Sequence, residues 1–567
     1  MILLNEKIFI KIENIKSTMR KIFLPILIFL FAFPLTSNVY SQIKLNVKAS
    51  LYNTLRYGSG TEFLNSQDVQ KEYFENLSDA RLSVNDIVFG MRYEISDPIE
   101  YGRNFKGIRK RYVEYVGSDI ISVRGGDFYE VIGRGMTLNT FEQRSLAYDT
   151  DIDGARIIFK QTFGEKKPVK IKAEILGGDI EFVDYPNTDR VETYKIRDAN
   201  FEITPVKFLT LGGNYVYAKG SIPSGNVTTD IKADIPEAFL KFNYKTLEIF
   251  SSYAHKHTLT EPNTTYPVPL SADGDALYTS ASYCEAGWGV TLEYKNYRFD
   301  ITNPNNQSNE RPTKMLPFQN PPTVVKEHTS TLISRNPHVV DFNDEVGAQL
   351  EVNYVPSDDL TFLFNASMAS KHYKYLYNDT ADSYTRIDRS DDYIPAFDNE
   401  FNPFWEVYLE SEYYATKEIF ARLGLSRQSS VTFTYPNSVE RIFATTIPIE
   451  FKYTFMKDIT AKLIFEQQWM NNSIRIDEKD YMNQFVALSF IKSPQLTLTL
   501  NAEFTNDDEE PSGKKSWIQG EMSYNINSAN VVTVSYGSER GGLRCTSGIC
   551  RYVNPFNGFR LTIQSKF

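Results

Sequence analysis

The chain of 567 residues is poor in the residue types on which most site chemistry is built. Three cysteines are too few for a disulfide-held scaffold, and none stands in a four-ligand metal spacing. Five histidines, no Gly-x-Ser-x-Gly elbow and no His-Glu-x-x-His leave little from which to assemble a nucleophile with its base, so an enzyme is not expected, an envelope hydrolase being the residual option. Lys and Arg (61) do not exceed Asp and Glu (71), and a net charge of −10 offers no basic track for phosphates, which sets nucleic acid aside. Beyond the N-terminus no run approaches the ~18 apolar residues of a membrane helix. Neither low-complexity tracts nor sequence repeats occur.

What is present is aromatic: 39 Phe and 36 Tyr, in a chain of negative mean hydropathy. Abundant aromatic surface without long apolar runs is what two interfacial girdles around a polar lumen require. From Met19 the chain reads as a secretory signal peptide: Arg20 and Lys21, an apolar run from Ile22 to Leu35, then Val39 and Ser41 at the small-residue positions. Cleavage is expected before Gln42, with residues 1–18 either an over-extended start or a long n-region. The expected division is therefore 1–41 as signal region and 42–567 as mature protein.

Period-two alternation then recurs along the chain. At the C-terminus Phe559, Leu561, Ile563, Ser565 and Phe567 alternate with Arg560, Thr562, Gln564 and Lys566. Leu496 to Phe504, Ile518 to Ile526, Trp405 to Tyr413 and Val346 to Tyr354 repeat the pattern. Short turns are read at 163–168, 244–247, 295–298, 355–358, 416–418, 456–458, 492–494 and 526–529, and long polar connections around 302–343, 373–403 and 505–515. Alternating short and long links between strands of about ten residues imply an all-β fold, a single large antiparallel transmembrane β-barrel of about 22 strands (about 18 to 24), with short periplasmic turns and long extracellular loops. The first long strand is placed near 80–97, which leaves too little chain before it for a separate plug domain. Such a barrel resides in a bacterial outer membrane, with Phe567 as the terminal aromatic of its targeting strand. Its expected partners are outer-membrane lipid, the barrel-assembly machinery during insertion, and a second copy in a homo-oligomer; no cofactor is expected.

Three passages resemble an uncharacterised family of outer-membrane proteins from the Bacteroidota, domain of unknown function 6029: Gly126-Asp-Phe-Tyr-Glu-Val-Ile-Gly-Arg-Gly-Met-Thr-Leu-Asn-Thr-Phe-Glu-Gln-Arg144, Pro321-Pro-Thr-Val-Val-Lys-Glu-His-Thr329, and the ending from Cys545 to Phe567. The resemblance implies the location and leaves the activity open.

The first passage holds Asp127, Glu130, Arg134, Glu142 and Arg144 among glycines that let the backbone turn sharply. Facing carboxylates and arginines form either a constriction that selects solutes by charge or an internal salt-bridge network that braces the barrel. On the strand register Arg156, Lys160, Lys241, Glu351, Glu406, Glu410, Lys462, Glu466, Glu503, Glu521 and Arg560 face the lumen, since such charges are costly against lipid. The connection 302–343 is expected as a solvated surface loop carrying His328 and His338, with an inward-folding gate the alternative. His255 and His257 share one side of an extended segment but lack a visible third ligand, so no metal site is assigned. Asp379-Thr380-Ala381 resembles an O-glycosylation acceptor of that bacterial group. Cys545 and Cys550 bracket four residues in a chain exported to an oxidising compartment and are expected to form a disulfide; Cys284 is left over, as a buried or lipid-facing side chain. The functional expectation is a pore or channel for small solutes, the alternative a plugged structural or assembly partner that docks other envelope proteins.

Overall fold

The computed structural model describes residues 45–567 apart from 184–188, 225–226, 265–266, 300–315, 435–437 and 477, so the signal-peptide reading lies outside the described residues. From Val47 onward, 24 strands hydrogen-bond in sequence as one antiparallel sheet. The sheet closes on itself where the first strand, Val47–Leu64, pairs with the last, Phe556–Lys566, from Tyr52 opposite Lys566 to Glu62 opposite Phe556. Phe567 extends this seam, exchanging backbone hydrogen bonds of 2.8 and 3.0 Å with Leu51.

Links at the end bearing Phe567 are never longer than five residues, whereas the other end carries 97–104, 129–151, 299–344, 371–403, 506–515 and 540–555. In outer-membrane barrels these are the periplasmic and the extracellular ends. The first long strand, read near 80–97, is instead divided by the turn at 85–86, and two strands of 18 residues each come first: Val47–Leu64 and Gln67–Val84 pair over their full length across the turn Asn65-Ser66. Both turn residues have positive φ, 49° and 63°, as a two-residue hairpin requires. These strands were hard to see because glycine and hydroxyl residues dilute their alternation, as in Tyr57-Gly-Ser-Gly-Thr61. A second correction concerns 295–298. This is the top of the strand Trp288–Arg298, and the turn below it is 286–287. Lys295 looks like a turn residue but is a fully buried luminal cation, paired with Glu345 and donating to the Thr323 carbonyl at 2.5 Å.

Outward side chains form an apolar belt, with Leu409, Leu423, Leu463, Leu488 and Leu500 exposed. Exposed Tyr244, Trp288, Tyr413 and Tyr453 bound it near the short turns, and Tyr215, Tyr253, Trp469 and Tyr536 toward the loops. A closed barrel with an apolar belt between aromatic girdles is a membrane-spanning barrel of a bacterial outer membrane, and the protein is one.

Above the belt the alternation changes phase. In Val169–Val183, Ala173 and Ile175 point outward, but from Leu176 on the apolar side chains, Leu176, Ile180 and Phe182, point inward and Asp179 and Glu181 outward. The strand Val191–Val206 does the same: Phe201 is exposed, while Tyr194 and Ile196 are buried between outward Lys195 and Arg197. Leu209–Ser224 and Val227–Tyr244 repeat it with Val216, Ala218, Ile231, Ala233 and Ile235 turned inward. A wall in lipid is apolar outside; a wall in water is apolar inside.

This inner apolar surface is covered by the loops. Phe128, Ile132 and Leu138 of one inward segment and Leu316 and Phe318 of another pack on Ile180, Tyr194, Ile196, Val216 and Ile235. Met136, Val324, Val340 and Phe342 pack on Phe239, Phe250, Tyr278, Tyr297 and Phe299. A third insert, the hairpin Gly542–Thr546/Ile549–Val553 with the disulfide Cys545–Cys550, places Ile549 against Leu146, Tyr148 and Phe182. The described part of 302–343 is therefore luminal packing and not a solvated surface loop, because its Leu316, Phe318, Leu332 and Ile333 find an apolar wall inside. Asp379-Thr-Ala381, by contrast, lies at the exposed tip of the hairpin Tyr373–Asn378/Ser383–Asp388. Cys284 is exposed on the luminal register of its strand, beyond Ser280 and Ser282, and not buried or against lipid.

The assignment of faces has a direct check. Leu500→Arg, at the middle of an outward-facing row, is expected to cost about 2–4 kcal/mol in refolding into lipid vesicles. Asn501→Arg, one residue on and facing the lumen, is expected to cost far less; equal costs would contradict the register.

Candidate functional site

The segment 129–151 begins where Phe128 leaves the wall and ends where Ile152, its register partner, rejoins it. Two miniature ladders, Val131–Ile132 with Leu138–Asn139 and Glu142–Gln143 with Tyr148–Asp149, fold it into a compact insert. Gly133 turns at φ 57°, and a Cβ there would stand 2.0 Å from the Glu237 carboxylate, so only glycine fits between turn and wall. The insert is tied to the second inward segment by Asn139 N–H to Phe318 O (2.7 Å), Gln319 Nε2 to Met136 O (2.9 Å), and Asn320 Nδ2 to the Tyr148 hydroxyl (3.1 Å). That segment is fixed in turn to the far wall, where Glu466 accepts from the Ser330 hydroxyl and the Thr331 and Leu332 amides at 2.7–2.9 Å.

Glu142 and Asp149, side by side on the insert, meet cations of the neighbouring wall strands Ile87–Ser96 and Phe105–Tyr115. Arg92 reaches Glu142 at 2.6 Å and Asp79 at 2.8 Å; Lys110 lies 3.3 Å from Glu142 and 3.0 Å from Asp149. The Tyr129 hydroxyl donates to Asp149 at 2.8 Å. Arg144 adds contacts to Glu94 (3.1 Å), Glu142 (3.4 Å) and Glu75 (3.5 Å), and Arg56 holds Glu75 at 3.0 Å. This layer of paired charge is a septum. On its loop side lies a cavity of about 350 Å³ bordered by Glu75, Glu94, Tyr101, Arg103, Glu142, Arg144 and Asp149. On its turn side lies one of about 510 Å³ bordered by Tyr52, Asp79, Arg92, Lys110, Arg124, Tyr129 and Asp151.

Burial and charge oppose each other within the insert. Burial works against ionised Glu142, but Lys110 and Arg92 outweigh it and hold the carboxyl down at about 2. Burial, with Asp149 beside it, pushes Asp151 up to about 7. Burial and the carboxylates of Asp149 and Glu142 also raise the Tyr129 phenol, which stays a donor.

The sequence candidates thus divide. Glu142 and Arg144 belong to the septum. Glu130 and Arg156 form a neighbouring cluster, in which Arg156 also lies 3.5 Å from Glu114. Asp127 accepts the Arg111 amide at the top of its strand. Arg134 sits apart, 3.2 Å from Glu248 and over the Phe250 ring. Glu351 holds Lys326 at 3.0 Å, Glu410 takes the Tyr408 hydroxyl at 2.5 Å, and Arg560 lies between Glu539 and Glu100. His328 pairs with Glu406 at 3.0 Å and His338 with Glu345 at 3.1 Å. His255 and His257 face outward, hydrogen-bonded to Asp275 (2.8 Å) and Asp273 (2.7 Å) on the adjacent strand. Among the described residues no cluster has the arrangement of a metal site. Arg92, Lys110, Tyr129, Asp149 and Asp151 were missed. Their signals were the acidic run Asp149-Thr-Asp-Ile-Asp153 and luminal-phase cations in the strands Ile87–Ser96 and Phe105–Tyr115.

The chain belongs to a family of unknown function, DUF6029, whose model matches residues 19–567. Comparison with curated proteins yields no match. Among solved structures it is similar to the siderophore receptor PirA from Pseudomonas aeruginosa, with 8% identity over 91% of this chain and 80% of that one and a TM-score of 0.42. It is similar also to the copper transporter OprC (9%, 92% and 80%, 0.43). A third is the FrpB iron transporter from Neisseria meningitidis, F3-3 variant (9%, 93% and 82%, 0.40).

Two pH effects of opposite sign follow. The lowered Glu142 value contributes stability present above the ordinary carboxylate range and lost as pH falls toward 2. The raised Asp151 value contributes stability present below the unfolded value and lost as pH rises through about 7. Asp151→Asn is therefore expected to gain on the wild type between about pH 4 and pH 8, read as protection of the insert from proteolysis; a gap that does not change with pH would refute the assignment.

Proposed function

We propose that the protein is a gated conduit for small polar solutes across the outer membrane, shut by its own inward segments. The observation that supports this reading is the thinness of the barrier along one wall. Beside the strands of residues 47–128, cavities of about 350 and 510 Å³ lie on either side of the ion-paired layer of Arg92, Lys110, Tyr129, Glu142 and Asp149, with Glu142 and Asp149 lining the first and Arg92, Lys110 and Tyr129 the second. Elsewhere the described inward segments are held by two apolar clusters together with buried polar contacts such as Lys295 with Glu345 and Ser330 with Glu466. Ion pairs in a wet lumen are exchanged for water more readily than a packed core is dissolved, so the septum is the place to open.

Mixed charge makes the conduit selective for polar over apolar solutes, and Arg103, Arg109 and Arg144 against Glu75, Glu94, Glu142 and Glu181 give the outer cavity partners for both signs. A second reading, a permanently plugged barrel that docks other envelope proteins, is favoured by the apolar clusters alone.

Planar-bilayer recording separates the two. Glu142→Gln with Asp149→Asn removes both anions that the insert offers to Arg92 and Lys110. The double variant is expected to show openings at least about tenfold more frequent than the wild type, corresponding to the loss of roughly 1.4 kcal/mol of closed-state preference. Silence from wild type and variant alike would overturn the conduit in favour of the plugged barrel.

A further inference from the structure

The wall is interrupted on the loop side of the septum. The strand Phe105–Tyr115 pairs along its whole length with Ile87–Ser96, but on its other side only Tyr112–Tyr115 find partners, in Val123–Gly126. The next strand leaves the wall at Phe128, and Ile152–Phe163 meets Val169–Val183 no higher than Asp153 opposite Asp179. Residues Phe105–Arg111, roughly 20 Å of strand, therefore have no strand against this edge among the described residues. The foot of the gap is fixed: the Arg111 amide donates to the Asp127 carboxylate, and the Arg111 guanidinium lies 3.0 Å from Asp153. Gly126 is required there, since a Cβ would meet the Arg111 carbonyl at 2.1 Å.

An unpaired strand edge is not tolerated in hydrocarbon. Here it stands above it, because outward-facing Arg111, Asp153 and Asp179 mark the height at which the wall's alternation changes phase. The gap thus opens at the level of the outer-leaflet headgroups. It holds a cavity of about 720 Å³ that shares Phe105, Arg109 and Glu181 with the outer luminal cavity and Asp127 and Asp151 with the inner one. The gap therefore adjoins residues that border the cavities on both sides of the septum.

We propose that this notch is a lateral binding port for an amphiphile whose polar head carries an amine. The apolar side chains of Phe105 and exposed Ile108 offer a surface to the tail. The lining carries six carboxylates, Asp127, Asp151, Asp153, Asp179, Glu181 and Asp230, against four cations: Arg111 is engaged by Asp153, Lys219 by Asp230 at 3.5 Å and Arg109 by Asp149 at 3.8 Å, while Lys195 stands opposite Asp179 in the ladder. Asp179 and Glu181 have no ion pair among the described residues, and Asp127 and Asp151 stand behind them. An amine supplies the charge that is missing; a sulfate or phosphate head meets carboxylates. The port is independent of axial conduction, since an amphiphile can occupy it whether or not the septum opens.

The test is photolabelling of the full-length protein in phospholipid nanodiscs with a diazirine-tagged long-chain alkylamine, and in parallel with the matching alkyl sulfate. The amine is expected to label residues 105–111 and peptides of the insert 142–151, and the sulfate to label the outward belt around Leu500 without reaching the insert. Asp179→Asn with Glu181→Gln is expected to lower amine labelling of the insert roughly tenfold, as for loss of a charge-assisted contact, with belt labelling unchanged as the control for an intact barrel. Equal labelling of the belt by both probes, with no insert peptide modified, would overturn the port. So would insert labelling that the double variant leaves unaltered.

Discussion

In hydrocarbon no water is available to a peptide group, and every other feature of this protein follows from that constraint. It obliges the sheet to close, which the pairing of Tyr52–Glu62 with Phe556–Lys566 accomplishes. Closure creates a wall with two solvents, lipid outside and whatever fills the lumen inside. Where the wall rises out of the membrane the outer solvent becomes water, and the side-chain pattern inverts within single strands, as between Ile175 and Leu176. Inversion leaves an apolar inner surface that water wets poorly. The inward segments of 129–151 and 316–344 are the chain's own answer to it, burying Phe128, Leu138, Phe318 and Phe342 where an open pore would have left the surface bare.

The charged side of the lumen obeys a different balance. Ionised groups withdrawn from water hold their charge only with partners at hydrogen-bond distance, and the septum provides them: Arg92 with Glu142 and Asp79, Lys110 with Glu142 and Asp149, Arg144 with Glu94 and Glu75. Each cation is shared between at least two carboxylates, so removal of one contact leaves the others in place. Such a lattice is specific in geometry yet divisible into steps, unlike a packed core, which gives way as a unit. The same lumen therefore contains a stiff part and a part held by exchangeable contacts.

Much of this was legible from sequence where one rule governed a whole strand. Rows such as Leu496 to Phe504 and Phe559 to Phe567 lie wholly within the belt, and their alternation identified the barrel, its direction and its location. Three things escaped. Val47–Leu64 was obscured by glycines, which carry no facing information. Lys295 imitated a turn because polarity marks both solvent and a salt-bridged interior. The segment 316–344 read as a surface loop because its apolar residues have no periodicity of their own and acquire a partner only once distant strands supply one. For the site, Glu142 and Arg144 stood out through their glycine-rich context, while Arg92 and Lys110 come from two strands that precede the insert in the sheet, and only its folding back over their luminal face brings them to Glu142 and Asp149.

The insert 129–151 departs from and returns to adjacent positions, Phe128 and Ile152, which face each other in the ladder. A plug attached in this way is a tethered ligand. When its contacts break it cannot diffuse away, and it meets its binding surface again at the millimolar effective concentration of a short linker. Its occupancy is therefore unaffected by dilution or by protein copy number, and reclosure is a first-order event whose rate belongs to the single molecule. A barrel plugged by a separate domain or a partner would respond to supply; under the proposed conduit this one would respond to what competes for the insert's own contacts.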